Sequence, residues 1–421
     1  MTIQKPKGTL DILPEETAIW HKIEHVIRQC TENAGFNEIR IPTFENTALY
    51  KRGVGNTTDI VKKEMFEFGD REGQGLCLRP EGTAGVVRSV IENGLYGEPM
   101  PLKYYYLGPF FRYEKPQAGR SREFYQFGIE MFGAQSPLAD ASCIALADDV
   151  LQRLDINASL NINSIGCPKC RPKYHDALRS YFSEHENELC ATCKERLKTN
   201  PLRILDCKSP ICSAIAKDAP KTVDYLCEDC STHFEGLKTS LGVLGIEYKI
   251  NPMIVRGLDY YVKTVFEFIS DDIGAQSTVC GGGRYDGLVE ELSGPALCGI
   301  GFGMGLTRIV LALRAKAQKG LAKLPEIKAP LIYIASMGEK GALYAIKTCE
   351  QLRSRDIYAE CDVVSRSLKA QMKYADKIGA RYVLVVGDNE LETGLATLKN
   401  MSDKTDSKEV KLDEIAFTLV G

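Results

Sequence analysis

The sequence predicts an α+β fold. A first domain is built on an antiparallel sheet with helices and is broken by a small cysteine-rich insertion; a C-terminal α/β domain follows. Three observations carry this. Residues 104–132, YYYLGPFFRYEKPQAGRSREFYQFGIEMF, place two aromatic-rich runs on either side of a polar arm containing Pro116 and Gly119, the pattern of two antiparallel strands joined by a long loop. Eight of the 15 cysteines lie between residues 167 and 230. Beyond residue 331 the apolar runs LIYIAS, IYAECDVV and YVLVVG alternate with helical stretches, the pattern of a parallel α/β domain. KGLAKLPEIKAP at 319–330 reads as the linker. The predicted limits are 1–326 for the first domain, interrupted by the insertion over 163–245, and 331–421 for the second.

Composition narrows the functional classes. A chain of 421 residues with 44% hydrophobic and 26% charged residues has ample core for two or three globular domains. The net charge of −3 gives no bulk attraction to nucleic acid, so any RNA contact must be a local basic patch. There is no apolar run of membrane-spanning length, and the polar start MTIQKPKGTL is no signal peptide, which together imply a cytoplasmic protein with no membrane partner. In that setting an odd number of cysteines argues for metal ligands or free thiols over disulfides. The histidines, at 21, 25, 175, 185 and 233, lie outside every motif described below, so histidine acid–base chemistry is not the expected engine.

Along the chain, Pro14 followed by EETAIW marks a helix start with acids in its first turn, and Ile19, Ile23, Val26 and Ile27 recur at helical spacing up to Gly35. Phe36, Ile39 and Ile41 then predict a short strand that stops at Pro42. In EMFEFGDREGQGLCLRPEGT, at 64–83, the glycine-rich centre is a hairpin turn, and Glu81 and Thr83 fall just beyond a strand, at the start of a helix over 83–92. An acid is favourable at a helix N-terminus, so Glu81 has a structural reading as well as a binding one. In the hairpin of 104–132, Gln126, Gly128 and Glu130 share one strand face and Phe127, Ile129 and Met131 the other. The polar face is a floor with a gap at Gly128 and two polar groups roughly 13 Å apart. Arg112 and Glu114 share a face on the incoming side, and the loop adds Arg120 and Arg122. The hairpin therefore gathers fixed cations for phosphate, an acceptor for an amine and a slot for a small molecule. Residues 138–154 have helical spacing and pack on the sheet.

Cys167-Pro-Lys-Cys170 and Cys190-Ala-Thr-Cys193 are two CxxC knuckles at zinc-ribbon spacing, predicting one tetrahedral thiolate set, with Cys207, Cys212, Cys227 and Cys230 as a second; reduced thiols are the alternative. IVRGLDYYVKTVFEF at 254–268 returns to strand character and crowds Arg256, Asp259, Tyr260 and Tyr261 beside Gly257. In GGGRYDGLVEEL at 281–292, three glycines permit close approach of backbone to a ligand. In CGIGFGMGLTRIVLAL, Gly299, Gly301, Gly303 and Gly305 recur with period two, giving a strand with one bare face on which a flat base could lie. This is not a dinucleotide fingerprint. Arg366, Lys369, Lys373 and Lys377 fall at spacings of three, four and four, predicting a basic stripe on one helix, either a solvated face or an RNA contact.

Several of these segments resemble the motifs of class II aminoacyl-tRNA synthetases, in the form found in histidyl-tRNA synthetases, and the resemblance covers nearly the whole chain. FRYEKPQAGRSREFYQFGIE resembles motif 2. It implies that Arg112 grips the ATP α-phosphate, Glu114 reads the adenine amine, Arg120 reaches the γ-phosphate, Phe124 stacks on adenine, and Gln126 and Glu130 contact histidine. RPEGT resembles the histidine-binding segment, implying Glu81 on the α-ammonium group with Thr83 beside it. RGLDYY resembles the first histidine-specific motif, implying Arg256 as the catalytic cation opposite Arg112, with Tyr260 and Tyr261 at the substrate. GGGRYDG resembles the second, implying that Tyr285 closes the imidazole pocket. The glycine-rich strand and its helix resemble motif 3, implying Arg308 on adenine and the γ-phosphate; Thr307 stands where the family commonly has Glu.

The helix of 14–34 and the strand after it resemble motif 1, which implies a homodimer. The second domain is similar to the family's anticodon-binding domain, which implies Arg366, Lys369, Lys373 and Lys377 on tRNA. The resemblance as a whole implies histidine, ATP with Mg2+, and tRNA(His) as ligands. The structural zinc rests on cysteine spacing alone. A regulatory paralogue of the family is disfavoured by the second domain and the intact arginines, other class II synthetases by RGLDYY, and a simple RNA-binding module by the ATP-facing arginines.

Overall fold

The computed structural model describes residues 2–420 apart from 56–57, 118, 271, 273–277 and 404–405. The chain forms two units, Met1–Pro325 and Glu326–Gly421.

The first unit opens with helix α1 (Pro14–Asn33), which carries Glu15 and Glu16 in its first turn and buries Ile19, Ile23 and Ile27. Strand β1 (Asn37–Glu38) follows. It is shorter than the apolar run predicts, because Arg79 Nη1 takes the carbonyls of Ile41 and Pro42, removing them from any strand ladder. Strand β2 (Phe44–Asn46), helix α2 (Thr47–Gly53) and strands β3 (Glu67–Gly69) and β4 (Gly75–Leu78) come next, the strands forming a small sheet in the order β2-β4-β3. Helix α3 (Thr83–Glu92) leads to the expected hairpin, β5 (Leu102–Phe111) and β6 (Glu123–Phe132), paired antiparallel from Leu102–Phe132 to Phe111–Glu123.

Helix α4 (Pro137–Arg153) and strand β7 (Ser159–Ser164) precede the cysteine-rich segment. That segment is helical, with α5 (Arg171–Glu184), α6 (Ala191–Thr199), α7 (Pro210–Ala216) and α8 (Glu228–Val243). The chain then lays down β8 (Tyr248–Ile250), β9 (Val262–Ile269), β10 (Thr278–Arg284), the short helix α9 (Leu288–Glu291), β11 (Gly299–Gly305) and helix α10 (Leu306–Gln318).

Eight strands make one sheet in the order β1-β5-β6-β11-β10-β9-β7-β8. Every neighbouring pair is antiparallel except the two at the edges, β1 with β5 and β7 with β8. On one face, Phe127, Ile129 and Met131 join residues of α1, α4 and α10 in the larger core. The other face carries the polar floor. The two layers are pinned by a fully buried ion pair: Arg284 Nε donates to Asp140 Oδ1 at 3.1 Å, and His233 Nε2 lies 2.6 Å from Asp140 Oδ2. Burial alone would raise the Asp140 carboxyl, but His233 and Arg284 overcome it and hold the group below its ordinary range.

The second unit has strands β12 (Ile332–Ser336), β13 (Ala359–Cys361), β14 (Tyr382–Val386), β15 (Leu395–Asn400) and β16 (Ser407–Lys411), with helices α11 (Gly338–Arg353), α12 (Leu368–Lys377) and α13 (Asp388–Thr393). The sheet order is β13-β12-β14-β15-β16. The first three strands are parallel, as expected, and β15 and β16 add an antiparallel hairpin. Those two strands bury only alternate residues, Ala396, Leu398 and Val410, so they lack the continuous apolar signal of the other three.

The basic stripe is shorter than its spacing suggests. Helix α12 begins at Leu368, so Arg366 lies outside it, held by Asp362 at 2.7 Å and stacked on Tyr374; Lys369, Lys373 and Lys377 are exposed on the helix. Among the described residues no helix is long and apolar enough to cross a membrane.

Candidate active site

A cavity of about 790 Å³ opens on the polar face of the large sheet, and its lining gathers Arg112, Glu114, Arg120, Phe124, Gln126, Arg256, Glu267, Thr307 and Arg308. The elements that deliver these groups are the ends of β5 and β6, the segment before β9, β9 itself and the start of α10. Arg112 donates through Nε to the carbonyl of Pro80 at 2.9 Å and lies 5.2 Å from the Phe124 ring centre. Glu114 accepts from Arg120 at 2.9 Å. Arg308 donates to the carbonyls of Gly119 and Thr278.

Arg256 pairs with Glu267 of β9; its Nε is buried and has no hydrogen-bond partner among the described residues. Burial opposes its charge, but Glu267 and Tyr261 outweigh burial and keep it protonated. Arg308 is pushed the other way, by burial and then by the positive charges of Arg120 and Arg112. A cavity whose cations repel one another is complementary to a polyanion. Arg122 is not part of it: its guanidinium stacks 3.8 Å from the Tyr113 ring centre, beside the hairpin loop.

Behind the cavity lies a closed polar cluster. Glu130 is fully buried and accepts from Thr83 Oγ1 at 2.7 Å and from the Tyr285 hydroxyl. Glu81, also buried, accepts from the backbone N–H groups of Thr83 and Ala84 at 2.8 and 2.9 Å, capping α3, and the Tyr260 hydroxyl donates to the same Oε2 as Thr83 at 3.5 Å. The two readings of Glu81 are thus compatible: one carboxylate caps a helix and faces the cluster. Tyr260 and Tyr261 pack with ring centres 4.7 Å apart, and Tyr285 stands edge-on to Tyr260. Burial raises both carboxyls, Glu130 to about 8, and keeps Tyr106, Tyr260, Tyr261 and Tyr285 as neutral phenols that can donate.

The glycines of β11 explain how so many groups fit. A Cβ at Gly301 would come within 2.2 Å of both Glu130 Oε2 and the Ile129 carbonyl; one at Gly303 would meet Gln126 Nε2 at 1.7 Å, and one at Gly299 would meet Tyr285 at 2.2 Å. The face is therefore bare of its own side chains but covered by those of its neighbours, and Gly303 and Gly305 are the two of the four that line the cavity.

The expected gap at Gly128 is likewise filled, by the Tyr106 ring, which lies where Cβ atoms at Gly128 and Gly82 would stand, 2.3 Å away in each case. Tyr106 and Glu267 are the site residues that sequence reasoning missed. Tyr106 reads as one more aromatic in a core strand; the available signal is its register opposite Gly128. Glu267 sits in the apolar VFEF run, where a lone acid on a strand face asks for a cation.

The cysteine-rich segment brings together all eight thiols, but in other groups than spacing predicts. Cys167 and Cys170 join Cys227 and Cys230; Cys190 and Cys193 join Cys207 and Cys212. The predicted set Cys167, Cys170, Cys190, Cys193 is corrected because α5 carries the chain away from the first knuckle. The knuckle before α8 then returns to it, where the segment rejoins the sheet.

Residues 8–170 and 202–309 match the family model described as histidyl-tRNA synthetase, and residues 331–420 match that of an anticodon-binding domain. A histidine--tRNA ligase of Acetivibrio thermocellus is 54% identical over 420 residues, covering 100% of both chains. One from Clostridium novyi is 50% identical over 423 residues, again covering 100% of both. The crystal structure of apo S. aureus histidyl-tRNA synthetase superposes with a TM-score of 0.84 at 37% identity, covering 100% of both chains. The large antiparallel sheet with its arginine-lined cavity is the catalytic fold of the class II aminoacyl-tRNA synthetases. Within that class, the chain belongs to the histidyl-tRNA synthetase family.

Proposed function

We propose that this chain attaches histidine to tRNA(His) at the expense of ATP, through a histidyl-adenylate. The observation that carries the reading is the meeting of two unlike surfaces in one site: four arginines around a cavity, and a buried Glu–Thr–Tyr cluster behind it. In the first step the histidine carboxylate attacks the α-phosphorus and pyrophosphate leaves. In the second, a terminal ribose hydroxyl of the tRNA attacks the acyl carbon and AMP leaves. The substrate brings its own nucleophile, so the protein need only position reactants and neutralise phosphate charge. A site dominated by arginines, carboxylates and phenols suits that division of labour.

Arg112 and Arg256 then flank the α-phosphate, with Arg256 Nε, which has no hydrogen-bond partner among the described residues, as a donor left for it. Arg120 and Arg308 take the outer phosphates, Glu114 the adenine amine, and Phe124 the adenine face. Glu81, Thr83 and Gln126 hold the ammonium end of histidine. Glu130, Tyr260, Tyr261 and Tyr285 enclose the imidazole, and Tyr106 supports them from below. Mg2+ bound to the phosphates would supply further charge neutralisation; Glu114, Glu267 and Asp206 are lining carboxylates that would be available to it, and Thr307 offers a hydroxyl. Any ion on the cysteines would be structural, since sulfur fills all four positions.

The second unit, within limits of 331–421, would bind the anticodon through Lys369, Lys373 and Lys377, with Arg366 beside them. The first unit, 1–326 with its insertion over 163–245, would pair with a second copy. Exposed Phe44 and Phe68 on its small sheet fit such a contact. Exchange of labelled pyrophosphate into ATP, measured with each of the twenty amino acids, tests the reading. Exchange with histidine alone is expected; exchange driven by another amino acid would overturn the pocket assignment.

A further inference from the structure

The cysteine-rich segment is a small body with a modest core. Twelve buried residues, among them Tyr174, Phe182, Leu197 and Ile204, make up its apolar cluster. Bodies below about 70–80 residues commonly need disulfides or metal to hold a fold, and this segment is only slightly larger. None of the cysteines here is disulfide-bonded. Instead the eight thiols form two sets of four, with every sulfur in a set within 4.8 Å of the others.

The Sγ atoms of Cys167 and Cys170 are 3.8 Å apart, those of Cys167 and Cys227 3.8 Å, and those of Cys190 and Cys207 3.9 Å. A regular tetrahedron with Zn–S bonds of about 2.3 Å has edges of about 3.8 Å. Backbone N–H groups point at the sulfurs: Cys227 N to Cys170 Sγ at 3.0 Å, Cys190 N to Cys212 Sγ at 3.2 Å, and Ser209 N to Cys207 Sγ at 3.5 Å. Such donors favour thiolate over thiol.

Both sets also lie beside groups that grip one segment of the active site. Arg171, next to Cys170, donates to the carbonyl of Tyr261. Arg203, between Cys193 and Cys207, donates to Asp259 Oδ1 at 2.8 Å and to the carbonyl of Gly257 at 2.9 Å. Asp206 and Lys208, on either side of Cys207, line the cavity.

We propose that the segment holds two zinc ions, one on Cys167, Cys170, Cys227 and Cys230 and one on Cys190, Cys193, Cys207 and Cys212, and that these centres fix residues 257–261 through Arg171 and Arg203. A tetrahedral S4 set accepts zinc or iron, and closed sites of purely structural kind are characteristic of zinc. The fixing role rests on the histidine-pocket reading above; the metal sites do not.

The test is elemental analysis of the full chain purified without added metal, with release by a mercurial thiol reagent followed by a chromogenic chelator. Two zinc per chain are expected. Fewer than two, or iron in their place, would overturn the sites. The double variant Cys167→Ser/Cys190→Ser is expected to retain none, because it breaks both sets; one remaining zinc would mean that neighbouring knuckles pair instead. If that variant does not fold, the count on the unaltered chain still decides.

For the fixing role, histidine affinity is measured by calorimetry before and after zinc removal and on Arg203→Ala. A loss of about tenfold or more, reversed by added zinc, is expected on depletion, and a similar loss in Arg203→Ala with both zinc ions retained. Unchanged affinity in either would overturn that role. A zinc-loaded chain that binds no histidine would instead count against the pocket reading while leaving the metal sites standing.

Discussion

Replacing Glu130 by Gln asks what the buried carboxylate does. The substitution keeps the volume, and each terminal atom can still meet a hydroxyl: Thr83 Oγ1, which lies 2.7 Å from Oε1, and the Tyr285 hydroxyl at Oε2. Hydroxyls rotate to suit either partner, so the fold should survive. Above about pH 8, where the natural carboxyl is ionised, the variant cannot present a negative charge to the imidazole, and the comparison is made there. A hydrogen bond to a charged group is worth about 1.5–3 kcal/mol, which predicts roughly tenfold to hundredfold weaker histidine binding. On the proposed reading ATP meets the arginine-lined cavity instead, so its affinity should move by less than about twofold.

Calorimetric titration with each ligand reads both effects. Equal losses for histidine and ATP, or none for histidine, would refute the assignment. A pH series gives an independent check. The folded-state carboxyl sits near 8 against an ordinary 4.5, so the folded protein holds this proton throughout that window. Its stabilising contribution is full below 4.5 and is lost as pH rises through about 8. The melting temperature of the natural protein should therefore fall between pH 6 and 9 more steeply than that of Glu130→Gln; parallel curves would show that Glu130 does not titrate there.

Three further expectations concern the framework. Arg256→Ala should lower the rate of pyrophosphate exchange by about a hundredfold or more while changing histidine affinity far less, as a donor used mainly in the transition state would; an unchanged rate refutes the role. Gly281→Ala would place a methyl 2.5 Å from Arg256 Nη1, displacing the end of a side chain but no backbone, so exchange should slow while the unfolding free energy moves by less than about 1 kcal/mol. Asp140→Ala leaves Arg284 buried without its main partner and should cost about 3–5 kcal/mol in urea unfolding; a loss below 1 kcal/mol would mean that water or another group replaces the carboxylate.

Much of the site was legible because strand alternation is a strict rule. Once 123–132 reads as a strand, Gln126 and Glu130 must share a face, and the register found between β6 and β11 brings Gly301 opposite Glu130 and Gly303 opposite Gly128. What stayed hidden depends on distances the chain does not encode locally. Tyr106 looks like core until its strand is paired with Gly128. The cysteine sets are decided by where α5 and α8 begin, so two knuckles 57 residues apart meet while nearer ones do not. Arg366 fits the helical spacing of its lysines but falls before the helix starts, since Asp362 binds both its backbone N–H and its guanidinium.

The crowding of Arg112, Arg120 and Arg308 has a consequence for the end of the reaction as well as its beginning. Beyond burial, Arg120 and Arg112 lower the affinity of Arg308 for its proton, so an empty cavity carries repulsion that Glu114 offsets only in part, and a polyphosphate relieves more of it. If these arginines take the phosphates as proposed, pyrophosphate leaves behind the same repulsion that ATP relieved on entry. Its departure is thus uphill in electrostatics, and the adenylation equilibrium becomes sensitive to how fast free pyrophosphate is cleared and to the salt that can stand in for it.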